Sequence, residues 1–149
     1  MKKVLFASLV LVLLAACASS QNIWGEDNQA QVSGQSVSMK SNLWVTNVPA
    51  SVEGQDQTLH GTLYLESKHS LPANLDVVKV SIKQGTHVWT LTEDQLALQS
   101  NYENQWEVSF EWPKVPVNLA KSVDVAMKLG KAGQAQWLVD KHVQVNAID

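Results

Sequence analysis

Apolar residues in the second half of the chain recur at every other position. In Trp106-Glu107-Val108-Ser109-Phe110-Glu111-Trp112, four apolar side chains alternate with two glutamates and a serine, which puts one face of an extended strand in a core and the other in water. Val123, Val125, Met127 and Leu129 alternate with Asp124, Ala126 and Lys128, and Val78, Val80 and Ile82 alternate with Lys79, Ser81 and Lys83. Leu59, Leu63 and Leu65 continue the pattern with Gly61 in the gap, where a glycine signals a bulge or a close contact. Leu43 and Val45 predict an earlier strand and Val88 to Leu91 a short one. Trp137 to Val145 predicts a long last strand whose buried phase is interrupted by Lys141.

Turn residues separate these runs. Glu53-Gly54-Gln55-Asp56, the segment Ser70 to Asn74 with Pro72, Gln84-Gly85-Thr86 and Gly130 to Gly133 all predict turns. Pro113 and Pro116 end the Trp106 strand, because proline cannot donate to a ladder. Thr92 to Leu98 admits two readings: a capped helical turn starting at Thr92 with Gln95, or a turn at Glu93-Asp94 before a short strand carrying Leu96 and Leu98. The second is preferred. Seven or eight strands without a long helix define an all-β chain, an antiparallel β-sandwich of Ig-like or fibronectin III-like type over residues 38–149.

The first 37 residues follow other rules. Met1-Lys2-Lys3 opens onto an apolar run ending in Leu14-Ala15-Ala16-Cys17, the form of a secretory signal with a small-residue cleavage site. Val4 to Ala16 is 13 residues, short of the roughly 20 that span a bilayer as a helix. Leu14-Ala15-Ala16-Cys17 resembles the lipobox of bacterial lipoproteins. The resemblance implies removal of residues 1–16, a covalent lipid on Cys17, and anchoring to a membrane. Ala18 and Ser19 in place of an aspartate after the cysteine imply the outer membrane, with the domain facing the periplasm. Residues 17–37, rich in Ser, Gln, Asn and Gly, read as the lipidated cysteine and a polar tether. A flexible coil of that length spans about 25 Å. Docking of Ile23 and Trp24 on the domain is the alternative.

Composition narrows the function by exclusion. Removing Lys2 and Lys3 with the signal takes the formal charge from −3 to −5, and all 11 basic residues are lysine. An acidic domain without arginine lacks the planar fork used on phosphates and guanine edges, so nucleic acid is not an expected partner. Cys17 is the only cysteine, so packing rather than a disulfide must hold the fold.

Candidate chemistry is sparse. His60, His69, His87 and His142 stand 9, 18 and 55 residues apart, without the close spacing of a local metal site. Nucleophile elbows, phosphate loops and zinc-protease motifs do not occur in the sequence. Glu107 and Glu111 lie on one wet face about 13 Å apart, wider than the ~5 to 9.5 Å of a glycosidase pair. Six tryptophans stand against two phenylalanines and two tyrosines. Trp106, Trp112 and Trp137 fall in the expected buried phase, whereas Trp44 and Trp89 fall out of phase with neighbours. Trp44 and Trp89 are therefore the candidate contacts for a ligand or partner. The sequence thus predicts a non-enzymatic lipoprotein that binds another envelope protein, with no cofactor beyond the lipid on Cys17. Glycan binding through Trp44 and Trp89, or metal binding through the histidines, are the alternatives.

Overall fold

The computed structural model describes residues 23–46, 58–114, 116–131 and 134–148. Among the described residues, ten strands form two sheets: β1 (Gln29–Val32), β2 (Gln35–Thr46), β3 (Thr58–Ser67), β4 (Leu75–Gln84), β5 (His87–Thr92), β6 (Ala97–Tyr102), β7 (Gln105–Trp112), β8 (Val123–Lys131), β9 (Gln134–Val143) and β10 (Val145–Ile148). One sheet runs β1-β2-β3-β7-β6 with β10 also on β2, and the other runs β5-β4-β8-β9. In immunoglobulin lettering β2-β3-β7-β6 take the order A-B-E-D and β5-β4-β8-β9 the order C′-C-F-G. The inner faces meet through the alternating residues, with Met39, Leu43, Leu59, Leu63, Ile82 and Met127 among those fully buried. Burying each such side chain contributes about 1.5–3 kcal/mol.

Gly61 marks a close contact rather than a bulge. It pairs with Phe110 across β3 and β7, and a Cβ built on it would lie 2.2 Å from Phe110 Cζ. The phenyl ring occupies the volume that a side chain would need. Gln84 supplies the second internal constraint. Its amide nitrogen donates to the carbonyls of Asn118 and Lys121 at 2.9 and 3.2 Å, and its Oε1 accepts the Asn118 N–H at 2.8 Å. This ties the β7–β8 loop to the end of β4.

The structure moves the domain boundary. Residues 29–37, assigned to the tether by composition, form β1 and the start of β2, and Val32 and Val37 are buried in the core. Ser33 and Gly34 both have positive φ, 52° and 77°, as a two-residue primed hairpin turn requires. Upstream, Ile23–Gly25 forms a 3₁₀ turn packed on β8 and β9. Asp27 O accepts the Val139 N–H at 2.9 Å, and Asn28 O accepts the Met39 N–H at 2.8 Å. The segment thus bridges the edges of the two sheets. Residues 23 onward therefore pack as part of the sandwich, and Trp24 docks on it. Only two apolar residues, one of them an alanine, alternate in Gln29-Ala30-Gln31-Val32, too short and weak a signal for a strand.

Three strand details also differ from the sequence pattern. A bulge between Val77 and Lys79 turns Val77 and Val80 inward together, so half-buried Val78 leaves the core phase. In β9, Leu138 and not Trp137 points into the core, and a register shift toward Val143 together with positive φ at His142 redirects the chain. The predicted single strand therefore divides: β9 pairs with β8, while β10 crosses to the other sheet and lies parallel to β2. Both readings of Thr92 to Leu98 hold in part. Glu93–Gln95 is a 3₁₀ turn whose Gln95 Oε1 accepts the Thr92 N–H at 3.0 Å, and β6 follows at once. The predicted turn at 53–56 lies outside the described residues, as do residues 132–133.

Candidate functional site

Trp44 stands on the outer face of the six-stranded sheet because it alternates with buried Leu43 and Val45. Register places it beside His60, and His60 beside Glu111. The indole and imidazole stack at 5.4 Å with an interplanar angle of 8°. His60 Nε2 lies 3.2 Å from Thr46 Oγ1, and Nδ1 lies 3.7 Å from Glu111 Oε1. The imidazole is 18 % exposed and the carboxylate 76 %, so Glu111 remains solvated. Beside this row is an open groove of about 520 Å³ lined by Trp44, His60, Thr62, Gln95, Ala97 and Glu111. Sequence spacing held no trace of this cluster, since its members come from three strands.

Trp89 lies elsewhere. It is on β5, an edge of the four-stranded sheet, half-buried against the core and meeting Trp112 edge to face at 6.1 Å. His87 stacks on its other side at 5.9 Å. Trp89 and Trp112 therefore close the rim between the sheets. Trp44 and Trp89 do not form a common platform, because they belong to different sheets. Trp106 and Trp112 are partly buried against the core, in line with their strand phase. Trp137, expected in the core, faces outward between Lys79 and Lys128, whose ammonium groups lie 5.8 and 5.9 Å from its ring.

The histidines are dispersed: His60 on the outer face of β3, His69 in the β3–β4 loop, His87 at the start of β5 and His142 near the end of β9. Among the described residues, no three His, Cys, Asp or Glu side chains converge as a metal site would require. Cys17 lies outside the described residues.

The least protected part of the sandwich is β6. It is an edge strand whose sequence, Ala-Leu-Gln-Ser-Asn-Tyr, contains no proline and no charged residue. Leu98 pairs with buried Val108 and shares its inward phase, yet it is 52 % exposed, and Tyr102 is 69 % exposed. Among the described residues, none covers Leu98 on the inner side of β6. Neighbouring β5, the edge of the opposite sheet, also lacks lysine, carboxylate and proline, and its Val88 is 50 % exposed. Edges of soluble sandwiches ordinarily carry lysine, proline or a covering segment to prevent pairing with another chain. No family model, curated protein or solved structure matches this chain.

Proposed function

We propose that this chain is a lipoprotein of the bacterial envelope, anchored through Cys17, whose sandwich is a non-enzymatic module that binds another envelope protein along β6. The anchor rests on Leu14-Ala15-Ala16-Cys17 and the residues around it. The binding reading is carried by one observation, the uncharged edge strand with inward-phased but exposed Leu98. A partner strand added there would satisfy the free backbone groups of β6 and cover Leu98, the geometry of strand-addition recognition. The separation of Trp44 from Trp89 favours this over a glycan platform built from both.

Intact cells carrying the full chain, cross-linked and purified through it, should yield a defined adduct with another envelope protein. Leu98→Lys places a charge on the edge and should remove the adduct while leaving the melting temperature within about 2 °C, because an exposed substitution changes stability by less than ~0.5 kcal/mol. An adduct that survives Leu98→Lys undiminished would refute the β6 assignment. Intact-mass measurement tests the anchor: the wild-type chain should carry a diacylglyceryl group and the Cys17→Ser chain none.

A further inference from the structure

Strand register arranges the outer face of the six-stranded sheet in rows that cross β2, β3, β7 and β6. Trp44, His60 and Glu111 form the first row, and Asn42, Thr62, Ser109 and Ala97 the second. Tyr64, Glu107 and Gln99 form the third, and Glu66, Gln105 and Tyr102 the fourth. His60 and Tyr64 are four residues apart on β3, about 13 Å along the strand. The small side chains of the second row therefore lie between rows that carry rings, and the groove beside Trp44 follows them. A second depression of about 570 Å³ continues from the third row to the fourth, lined by Tyr64, Gln99, Asn101, Tyr102, Gln105 and Glu107.

The lining is made of rings, amides and hydroxyls. His60 covers one face of Trp44 at 5.4 Å, which holds the indole wall in place. Gln95 Oε1 accepts the Thr92 N–H at 3.0 Å and the Thr92 hydroxyl at 3.2 Å, so the amide is fixed and its Nε2 is left to donate. The hydroxyls of Thr62 and Ser109 and the exposed carboxylate of Glu111 add further donors and acceptors to the groove. In the second depression, Asn101 Nδ2 donates to Gln105 Oε1 and Glu107 Oε1 at 3.1 and 3.3 Å, and Gln99 Nε2 donates to Asn101 Oδ1 at 3.3 Å. Amides already held by one another lose little freedom when a ligand arrives. Among the described residues no lysine lines either depression, whereas Asp94, Glu107 and Glu111 do. An anionic ligand would be repelled, and an apolar one would strip water from these polar groups without replacing its hydrogen bonds. A neutral ligand with many hydroxyls replaces them, and its C–H faces suit the rings of Trp44, Tyr64 and Tyr102.

We infer that the outer face of β3, β7 and β6, between Trp44 and Tyr102, binds a neutral oligosaccharide, with Gln95, Gln99, Asn101 and Glu111 bonding its hydroxyls. From the first row to the fourth is six residues of β3, about 20 Å, room for several sugar residues in a line. The site uses Trp44 without Trp89. It also leaves the backbone edge of β6 free, so it does not rest on the protein contact proposed there.

The test titrates the purified full-length chain with cellohexaose, maltohexaose and chitohexaose, and with hexagalacturonate as the anionic control, reading indole and side-chain amide resonances by NMR. At about 5 mM, at least one neutral hexasaccharide should shift the signals of Trp44, Gln95, Gln99 and Asn101 with a Kd of about 1 mM or tighter. The Trp137 indole, on the opposite sheet, should not move. Trp44→Ala should weaken binding about fivefold, and Tyr102→Ala, an exposed position that the fold tolerates, should do the same. Trp137→Ala should bind as the wild type does. Absence of a shift with every neutral hexasaccharide overturns the inference. So does a shift centred on Trp137 or Trp24, equal binding of hexagalacturonate, or undiminished binding by the Tyr102→Ala chain.

Discussion

At the residue scale, the pattern of alternation identified most of the buried side chains but not their neighbours. Gly61 illustrates the gap. Its position in an apolar phase announced something unusual, and only the register with Phe110 shows that a ring fills its side-chain space. Gly61→Ala should therefore destabilise the domain by about 2 kcal/mol or more, because a methyl group cannot enter without moving the ring. Chemical denaturation will measure this. Phe110→Leu combined with Gly61→Ala should cost less than the sum of the single changes, since the smaller side chain vacates the contact. The candidate residues divide in the same way: Trp44 was legible as outward-facing, but its stacking on His60 depends on which strand became its neighbour. Trp137 was misplaced because the short-range pattern Trp137-Leu138-Val139 is apolar on both faces, and its phase is decided by what covers each side.

At the element scale, strands with strict alternation were recovered at nearly their observed limits, and the described turns at Pro72 and Gly85 fell where expected. Elements held by tertiary hydrogen bonds were missed or misread. β1 pairs along β2 through a sequence that is mostly glutamine and alanine, so its backbone ladder rather than its side chains defines it. The β7–β8 loop is positioned by Gln84, which is only 9 % exposed and spends its whole amide on that loop. Gln84→Leu keeps the size and removes the bonds. It should lower stability by about 2 kcal/mol in denaturant titration, as the loop carbonyls and the Asn118 N–H lose their partner. A change below a few tenths of a kcal/mol would mean that water replaces the side chain at no cost.

At the scale of the whole molecule, the N-terminal segment is part of the sandwich and joins its two sheets. Val139 and Ala126 are both fully or nearly fully buried although their register faces them outward on the four-stranded sheet, and the 3₁₀ turn lies against those strands. Replacing residues 23–32 with a Gly-Ser segment of equal length should cost about 3 kcal/mol, from the exposure of Val32 and Val139 and the loss of the Asp27 and Asn28 bonds. A free tether would cost nothing, and a thermal melt distinguishes the two. The consequence is that the folded sandwich takes in residues that composition alone assigns to a tether.

The sequence by itself determined the all-β class, the sandwich, most strand positions and the lipobox-like start, because these depend on local periodicity and short motifs. It also set the inventory of chemistry: lysine without arginine, one cysteine and scattered histidines. The tertiary structure decided which side chains meet. Pairing between strands far apart in the chain created the Trp44–His60–Glu111 row, separated Trp44 from Trp89, left Leu98 exposed on β6 and gathered three lysines around two indoles. None of these is encoded in spacing along the chain, since each follows from strand order and register, which only the packing of the two sheets resolves.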